Sequence, residues 1–167
     1  MRSFMDRSGP VVVWVERAAL WAYVRGCNNT LMGDKCPRPR IDDMLMQTHE
    51  ARLAALREEL KRRGLTGFII PISDEHMSEY VGAYAQRLSW LTGFGGSAGT
   101  AAVSTDQTRE PAAAIFVDGR YTLQVRDQVD GRVFKPLDSG QISPESWIEQ
   151  HLPKGAVLGF DPWLTTP

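Results

Sequence analysis

Leu91-Thr92-Gly93-Phe94-Gly95-Gly96-Ser97-Ala98-Gly99-Thr100, LTGFGGSAGT, satisfies two catalytic patterns at once. Gly93 to Ala98 fits G-x-G-x-x-A, a dinucleotide fingerprint, and Gly95 to Gly99 fits G-x-S-x-G, the nucleophile elbow of serine hydrolases. Both patterns require a strand before the loop and a helix after it. The helix N-terminus binds the pyrophosphate in the first case, and the strand-to-helix turn exposes the serine in the second. Here Leu88 and Leu91 precede the loop at helical spacing, and Thr100-Ala101-Ala102-Val103-Ser104 follows it as a strand. The order is reversed. Four glycines and two small residues then read as a structural loop. It turns tightly and packs close to a neighbouring element.

Working outward, a single α/β pattern emerges. Upstream, Thr48 is an N-cap, Leu53, Leu56 and Leu60 follow at i, i+3 and i+7, and Gly64 sits at the C-terminal stop. Gly67-Phe68-Ile69-Ile70-Pro71-Ile72 is a buried strand bounded by Gly and Pro. Tyr80, Val81, Tyr84, Leu88 and Leu91 form a helical stripe broken near Gly82. Downstream, Ala112 to Val117 is a strand, and Tyr121, Val125 and Val129 make a helical stripe. Val133 to Lys135 reads as an edge strand. Ser143-Pro144 pairs an N-cap with Pro at the first helical position, followed by Trp147, Ile148 and Leu152 as an apolar face. Ala156 to Phe160 is the last strand. Helices alternate with strands, so the expected class is α/β with a mixed sheet flanked by helices.

Composition bounds the rest. The 167 residues suffice for one domain with a core, and 43% hydrophobic with 23% charged residues is ordinary for a globular protein. A net charge of −1 gives no basic field for nucleic acid. Glu58 and Glu59 stand four residues before Arg62 and Arg63, which reads as a solvated helix face. Cys27 and Cys36 fit neither C-x-x-C nor a zinc pattern, so a reduced, cytoplasmic setting is expected. The apolar run from Val11 to Val24 carries Glu16 and Arg17, whereas a membrane span needs about 20 mostly apolar residues. No membrane partner is expected. Asn28-Asn29-Thr30 matches a glycosylation sequon, which without a secretory signal is discounted. Residues 1–43 show no sustained period and read as an N-terminal extension, disordered or preceding a misassigned start. The domain begins near Met44.

Candidate chemistry is sparse. Asp74-Glu75-His76 are three ligand-type residues in a row, which regular backbone cannot aim at one ion, and no second cluster follows at metal spacing. His49 and His151 lie on separate helices. Asp118 and His151 could be enlisted with Ser97 as a triad, but a His at a helix end is favoured by the dipole without catalysis.

Taken together, Asp74-Glu75-His76-Met77-Ser78-Glu79-Tyr80, Arg87-Leu88, Leu91 to Thr100, Phe116-Val117-Asp118-Gly119-Arg120-Tyr121 and Asp161-Pro162-Trp163 resemble the N-terminal domain of the Xaa-Pro aminopeptidases (aminopeptidase P) of the creatinase and prolidase superfamily. The resemblance runs from about Met44 to the end. It implies a ribonuclease-H-like fold, and removal of an N-terminal residue that precedes proline. It places the chemistry in a C-terminal pita-bread domain with two manganese ions, whose ligands have no counterpart in this chain. No catalytic residue, metal ligand or cofactor is therefore expected within it.

One substrate-binding residue carries over: Arg120, which the resemblance aims at the peptide, as suits a planar guanidinium fork. Asp74, His76, Arg87, Gly95, Gly96, Ser97, Gly99, Asp118, Gly119 and Tyr121 belong to the motifs, with structural roles. The expectation is a non-catalytic domain for substrate gating and subunit assembly, in a truncated chain inactive alone. Its expected partners are a proline-containing peptide and further copies of itself. A free-standing interaction module is the alternative, and a serine hydrolase using Ser97 a minor one.

Overall fold

A computed structural model describes residues 11–14, 48–78 and 80–165. The two cysteines, the sequon and the domain start near Met44 lie outside the described residues. The elements in chain order are strand β1 (Val11–Trp14), helix α1 (His49–Arg62), β2 (Gly67–Pro71), a 3-10 turn (Ala83–Ala85), α2 (Arg87–Thr92), β3 (Thr100–Ser104), β4 (Ala113–Val117), a second 3-10 turn (Gly119–Tyr121), α3 (Thr122–Gln128), β5 (Lys135–Asp138), α4 (Pro144–His151) and β6 (Val157–Phe160). They form one six-stranded sheet in the order β1-β6-β2-β3-β4-β5. β3 runs antiparallel to β2 and β4, and the remaining pairs are parallel, so the sheet is mixed.

The pleat sorts side chains between two faces. Phe68 and Ile70 of β2, Ala101 and Val103 of β3, and Ala113, Ile115 and Val117 of β4 point to one core. There they meet Leu53, Leu56 and Leu60 of α1, Leu88 and Leu91 of α2, and Val125 of α3 with the adjoining Val129. The alternate residues Ala102, Ala114 and Phe116 face the other side, where Trp147, Ile148 and Leu152 pack from α4 and the residue beyond it. Both sides of the sheet are thus covered, which is why β4 reads as an unbroken apolar run.

Helix α1 follows its sequence signals. The Thr48 Oγ1 accepts from the Ala51 N–H at 3.2 Å. Gly64 takes the left-handed conformation (φ 70°), and the Leu65 N–H reaches back to the Leu60 carbonyl. Arg57 clamps the far turn of the β3–β4 hairpin, donating to the carbonyls of Ser104 at 3.0 Å and Ala112 at 3.1 Å and to the Gln107 side chain.

Four details differ from the sequence reading. Glu59 is fully buried rather than solvated, because it lies beside Leu56 and Leu60 on the inward stripe. Arg62 and Arg63 compensate it, each at 2.6 Å, while Glu58 pairs with Lys61 in solvent. The edge strand is Lys135–Asp138, shifted from Val133–Lys135. Val133 and Phe134 are held in a turn whose N–H groups donate to the Asp130 carbonyl. Tyr80 and Tyr84 are 82% and 58% exposed, so only the Leu88 and Leu91 half of that stripe joins the core. Lastly, Val11–Trp14 adds a strand where no element was expected, pairing Val12 with Leu158 and Trp14 with Phe160.

Candidate functional site

The strand directions gather the motif segments at one end of the sheet. β2, β4, β5 and β6 end there and the antiparallel β3 begins there, with Pro71 opposite Thr100 and Thr100 opposite Phe116. The segments following β2 (Asp74, His76), preceding β3 (the glycine loop), following β4 (Asp118 to Tyr121) and following β6 (Asp161 to Trp163) therefore share this end.

The glycine loop is held from three sides. α2 stops at Gly93, whose φ of 84° suits glycine and whose N–H donates to the Ser89 carbonyl at 2.8 Å. The buried Thr92 hydroxyl donates to the Leu88 carbonyl and accepts from the Phe94 N–H. The Gly95 N–H donates to Gln128 Oε1 at 2.8 Å, and the Gly99 carbonyl accepts from the Ile72 N–H at 3.0 Å. At Gly96 the constraint is space: a Cβ there would overlap the Phe94 ring and come within 2.9 Å of Tyr121 Cδ1. Gly96→Ala is therefore expected to cost about 1–3 kcal/mol through overpacking. A chemical melt of both chains checks it, and an unchanged midpoint would mean the Phe94 ring yields freely.

The Asp118-Gly119-Arg120-Tyr121 turn packs onto this loop. Asp118 Oδ1 accepts from the Arg120 N–H at 2.9 Å and caps the 3-10 turn. Its carboxylate also takes the Arg120 guanidinium, with Nη2 at 2.7 Å and Nε at 3.2 Å from both oxygens. These hydrogen bonds hold the Asp118 carboxyl below the usual range and Arg120 above its own. The guanidinium carbon lies 5.4 Å from the centre of the Tyr121 ring. Tyr121 stands edge-on to the buried Phe94 at 5.8 Å, and its hydroxyl meets Ser97 Oγ at 2.7 Å. That bond to Ser97 lowers the Tyr121 phenol. The outcome is a cation with 73% of its side chain exposed, yet fixed by a carboxylate and by a ring that stands against the buried Phe94.

The remaining motif residues shape the rim. Asp74 is 2% exposed, and its Oδ1 accepts from the N–H groups of Ser78 at 2.9 Å and His76 at 3.0 Å. The Ser78 N–H is the main reason its carboxyl is lowered. The His76 ring faces solvent. Arg87 is 7% exposed and donates to the Ala85 carbonyl among its contacts. Ser73 Oγ donates to the Leu164 carbonyl at 2.6 Å, tying the segment after β6 to the end of β2. Met77, Tyr80, Tyr84 and Trp163 leave large apolar groups exposed along this rim.

Several constellations weighed from sequence do not assemble. Ser97 is bonded to Tyr121, and Asp118 is occupied by Arg120. His151 lies on α4, stacked on Trp147 at 4.5 Å with Nδ1 against the Trp147 carbonyl. Among the described residues no three His, Cys, Asp or Glu side chains group as metal ligands, and Asp74 spends its carboxylate on backbone. The described residues therefore do not assemble a metal centre. No helix among the described residues is long and apolar enough to cross a membrane. A larger hollow of about 540 Å³ beside Arg57 and Lys135 lies at the opposite end of the sheet, with no motif residue in it. Sequence reasoning missed Gln128 and the buried Phe94 as supports of the loop. Neither residue carries a signal of that role outside the fold.

Comparison with known proteins agrees with this geometry. The creatinase/prolidase N-terminal domain family matches residues 52–167. The chain is 41% identical over 126 residues to Xaa-Pro aminopeptidase 2 of Rattus norvegicus, covering 75% of this chain and 18% of that one. It is 37% identical over 103 residues to the Xaa-Pro aminopeptidase ApepP of Drosophila melanogaster, covering 60% of this chain and 16% of that one. Among solved structures, the X-prolyl aminopeptidase of Caenorhabditis elegans, described as a cytosolic enzyme with a di-nuclear active site, superimposes with a TM-score of 0.63. It is 32% identical, over 72% of this chain and 21% of its own. The chain thus spans less than a quarter of the length of these relatives. With the family match over most of its length and the sheet that carries the motifs, this chain belongs to the creatinase/prolidase N-terminal domain family.

Proposed function

We propose that this chain serves as the non-catalytic N-terminal domain of a metal-dependent Xaa-Pro aminopeptidase, a cytoplasmic enzyme that removes an N-terminal residue preceding proline. Its part is to gate the peptide and to help assemble subunits into a homo-oligomer. The observation that carries this is Arg120, exposed but braced by Asp118 and Tyr121 at the end of the sheet where the motif segments converge. A guanidinium so fixed can donate to a peptide carbonyl with little loss of side-chain entropy. Two metal ions, manganese in this proposal, belong to a catalytic domain outside this one, where they would polarise the scissile carbonyl and activate water.

The test is turnover. The purified chain should not hydrolyse an Xaa-Pro peptide, with or without added manganese, and turnover that tracks the manganese concentration would sink the proposal. The domain proper is proposed to begin at Met44. A chain starting there should keep both core clusters, lose the β1 ladder, and melt within a few degrees of the full chain. A drop of many degrees would show that the first 43 residues pack as core.

A second reading, a free-standing protein-interaction module, draws on the exposed Met77, Tyr80, Tyr84 and Trp163 along the same rim. It predicts capture of a partner that Arg120→Ala leaves undisturbed.

A further inference from the structure

Beside the Arg120 turn lies a half-open cleft of about 190 Å³ between the glycine loop and Ser78 with residues 80–89. Its floor is apolar and buried, made by Leu88 and the Phe94 ring, with Gly96 against that ring. Its rim is largely polar, with Gln86, Ser97 and Tyr80 exposed and Ser89 and Val81 half-buried. Pockets for whole small molecules run to about 300–1,000 Å³, so this one is sized for a single side chain. An apolar floor under a polar rim calls for an apolar side chain carried on a polar backbone.

The cleft and Arg120 are joined through Tyr121. Ser97 on the rim bonds the Tyr121 hydroxyl, and the Arg120 guanidinium lies over the same ring. Asp118 takes Nε and Nη2 of Arg120, leaving Nη1 without a partner among the described residues. Because Asp118 already balances its charge, the free donor suits a neutral acceptor better than a carboxylate. A backbone carbonyl is such an acceptor, and a residue's side chain sits within one residue's span, about 3.3–3.6 Å of extended chain, of that carbonyl.

We infer that the cleft is a specificity pocket for an apolar side chain of the bound peptide, read together with a neighbouring internal carbonyl held by Arg120. The inference rests on the peptide-facing role given to Arg120 above. It makes the domain selective for peptides that continue past the reacting bond with an apolar residue, and indifferent to a free C-terminal carboxylate.

The test titrates the ¹⁵N-labelled full chain with Ala-Pro-Leu-amide, Ala-Pro-Ser-amide and free Ala-Pro-Leu. The Gly95, Gly96 and Ser89 amides should shift, with the leucine peptide bound roughly tenfold tighter than the serine peptide. Amide and free acid should bind alike. Ser89→Phe, which fills the cleft, should erase the preference for leucine, and Arg120→Ala should weaken both peptides equally. Gln86→Trp repeats the blockade should Ser89→Phe fail to fold, with the Trp147 indole resonance reporting an intact core. Equal binding of the leucine and serine peptides overturns the inference, as does an undiminished leucine preference in both blocked variants. Shifts that follow protein concentration without peptide would assign the cleft to a second copy of the chain and also overturn it. Loss of binding in Arg120→Ala with no effect of blockade would leave Arg120's role standing and remove the pocket alone.

Discussion

Trp147→Ala is expected to destabilise the fold by about 3–5 kcal/mol, among the largest losses a single core truncation produces. The expectation follows from what covers the second face of the sheet. Among the described residues the eight-residue helix α4 packs there, and Trp147 is its largest buried side chain at 1% exposure. The indole is accommodated because β3 and β4 offer Ala102 and Ala114 beneath it. It meets Phe116 edge-on at 6.2 Å and stacks on His151 at 4.5 Å. Removing it leaves a cavity that the backbone of β3 and β4 cannot close. Trp147→Phe should recover most of the loss, since the indole Nε1 is buried without a hydrogen-bond partner among the described residues and phenylalanine forfeits nothing there. Denaturant melts of the three chains check this. A Trp147→Ala midpoint close to wild type would show that α4 is a dispensable cover.

Much of this architecture was legible before any coordinates, wherever one local signal met one physical requirement. Thr48, the leucines at 53, 56 and 60, and Gly64 define α1, because capping and periodicity agree. Ser143-Pro144 does the same for α4, with Ser143 Oγ accepting from the Ser146 N–H at 3.2 Å. The reversed order around the glycine loop, helix then strand, argued against two enzymatic readings that the bare pattern invited.

The misreadings have tertiary causes. Tyr80 and Tyr84 have core-like chemistry, yet a 3-10 turn over Ala83–Ala85 interrupts the helical register and turns them outward. Glu59 looks solvated because a carboxylate almost never buries fully, except where two guanidiniums cover it. Val133 and Phe134 carry strand propensity but serve a turn capped by Asp130, and the chain enters the sheet only at Lys135. The Val11–Trp14 run has strand chemistry, but its partner β6 lies more than 140 residues downstream, beyond any local pattern. At the candidate site, Arg120 came from the motif. Its bracing by Tyr121, and the link from Tyr121 through Ser97 to the cleft, could come only from the fold.

The account's central claim is that the domain contributes recognition through Arg120 and no catalytic group of its own. It is tested most directly by Arg120→Ala in a full-length Xaa-Pro aminopeptidase carrying this domain, assayed for kcat/KM on an Xaa-Pro-Pro peptide with metal content measured on the same samples. A charge-assisted hydrogen bond to the peptide predicts that kcat/KM falls roughly ten- to a hundredfold while bound metal is unchanged. Arg120→Lys should restore part of the loss, because lysine keeps the charge but cannot grip Asp118 through a planar fork while donating outward. Full activity in Arg120→Ala would contradict the account, since an exposed turn arginine with no peptide to meet predicts that result.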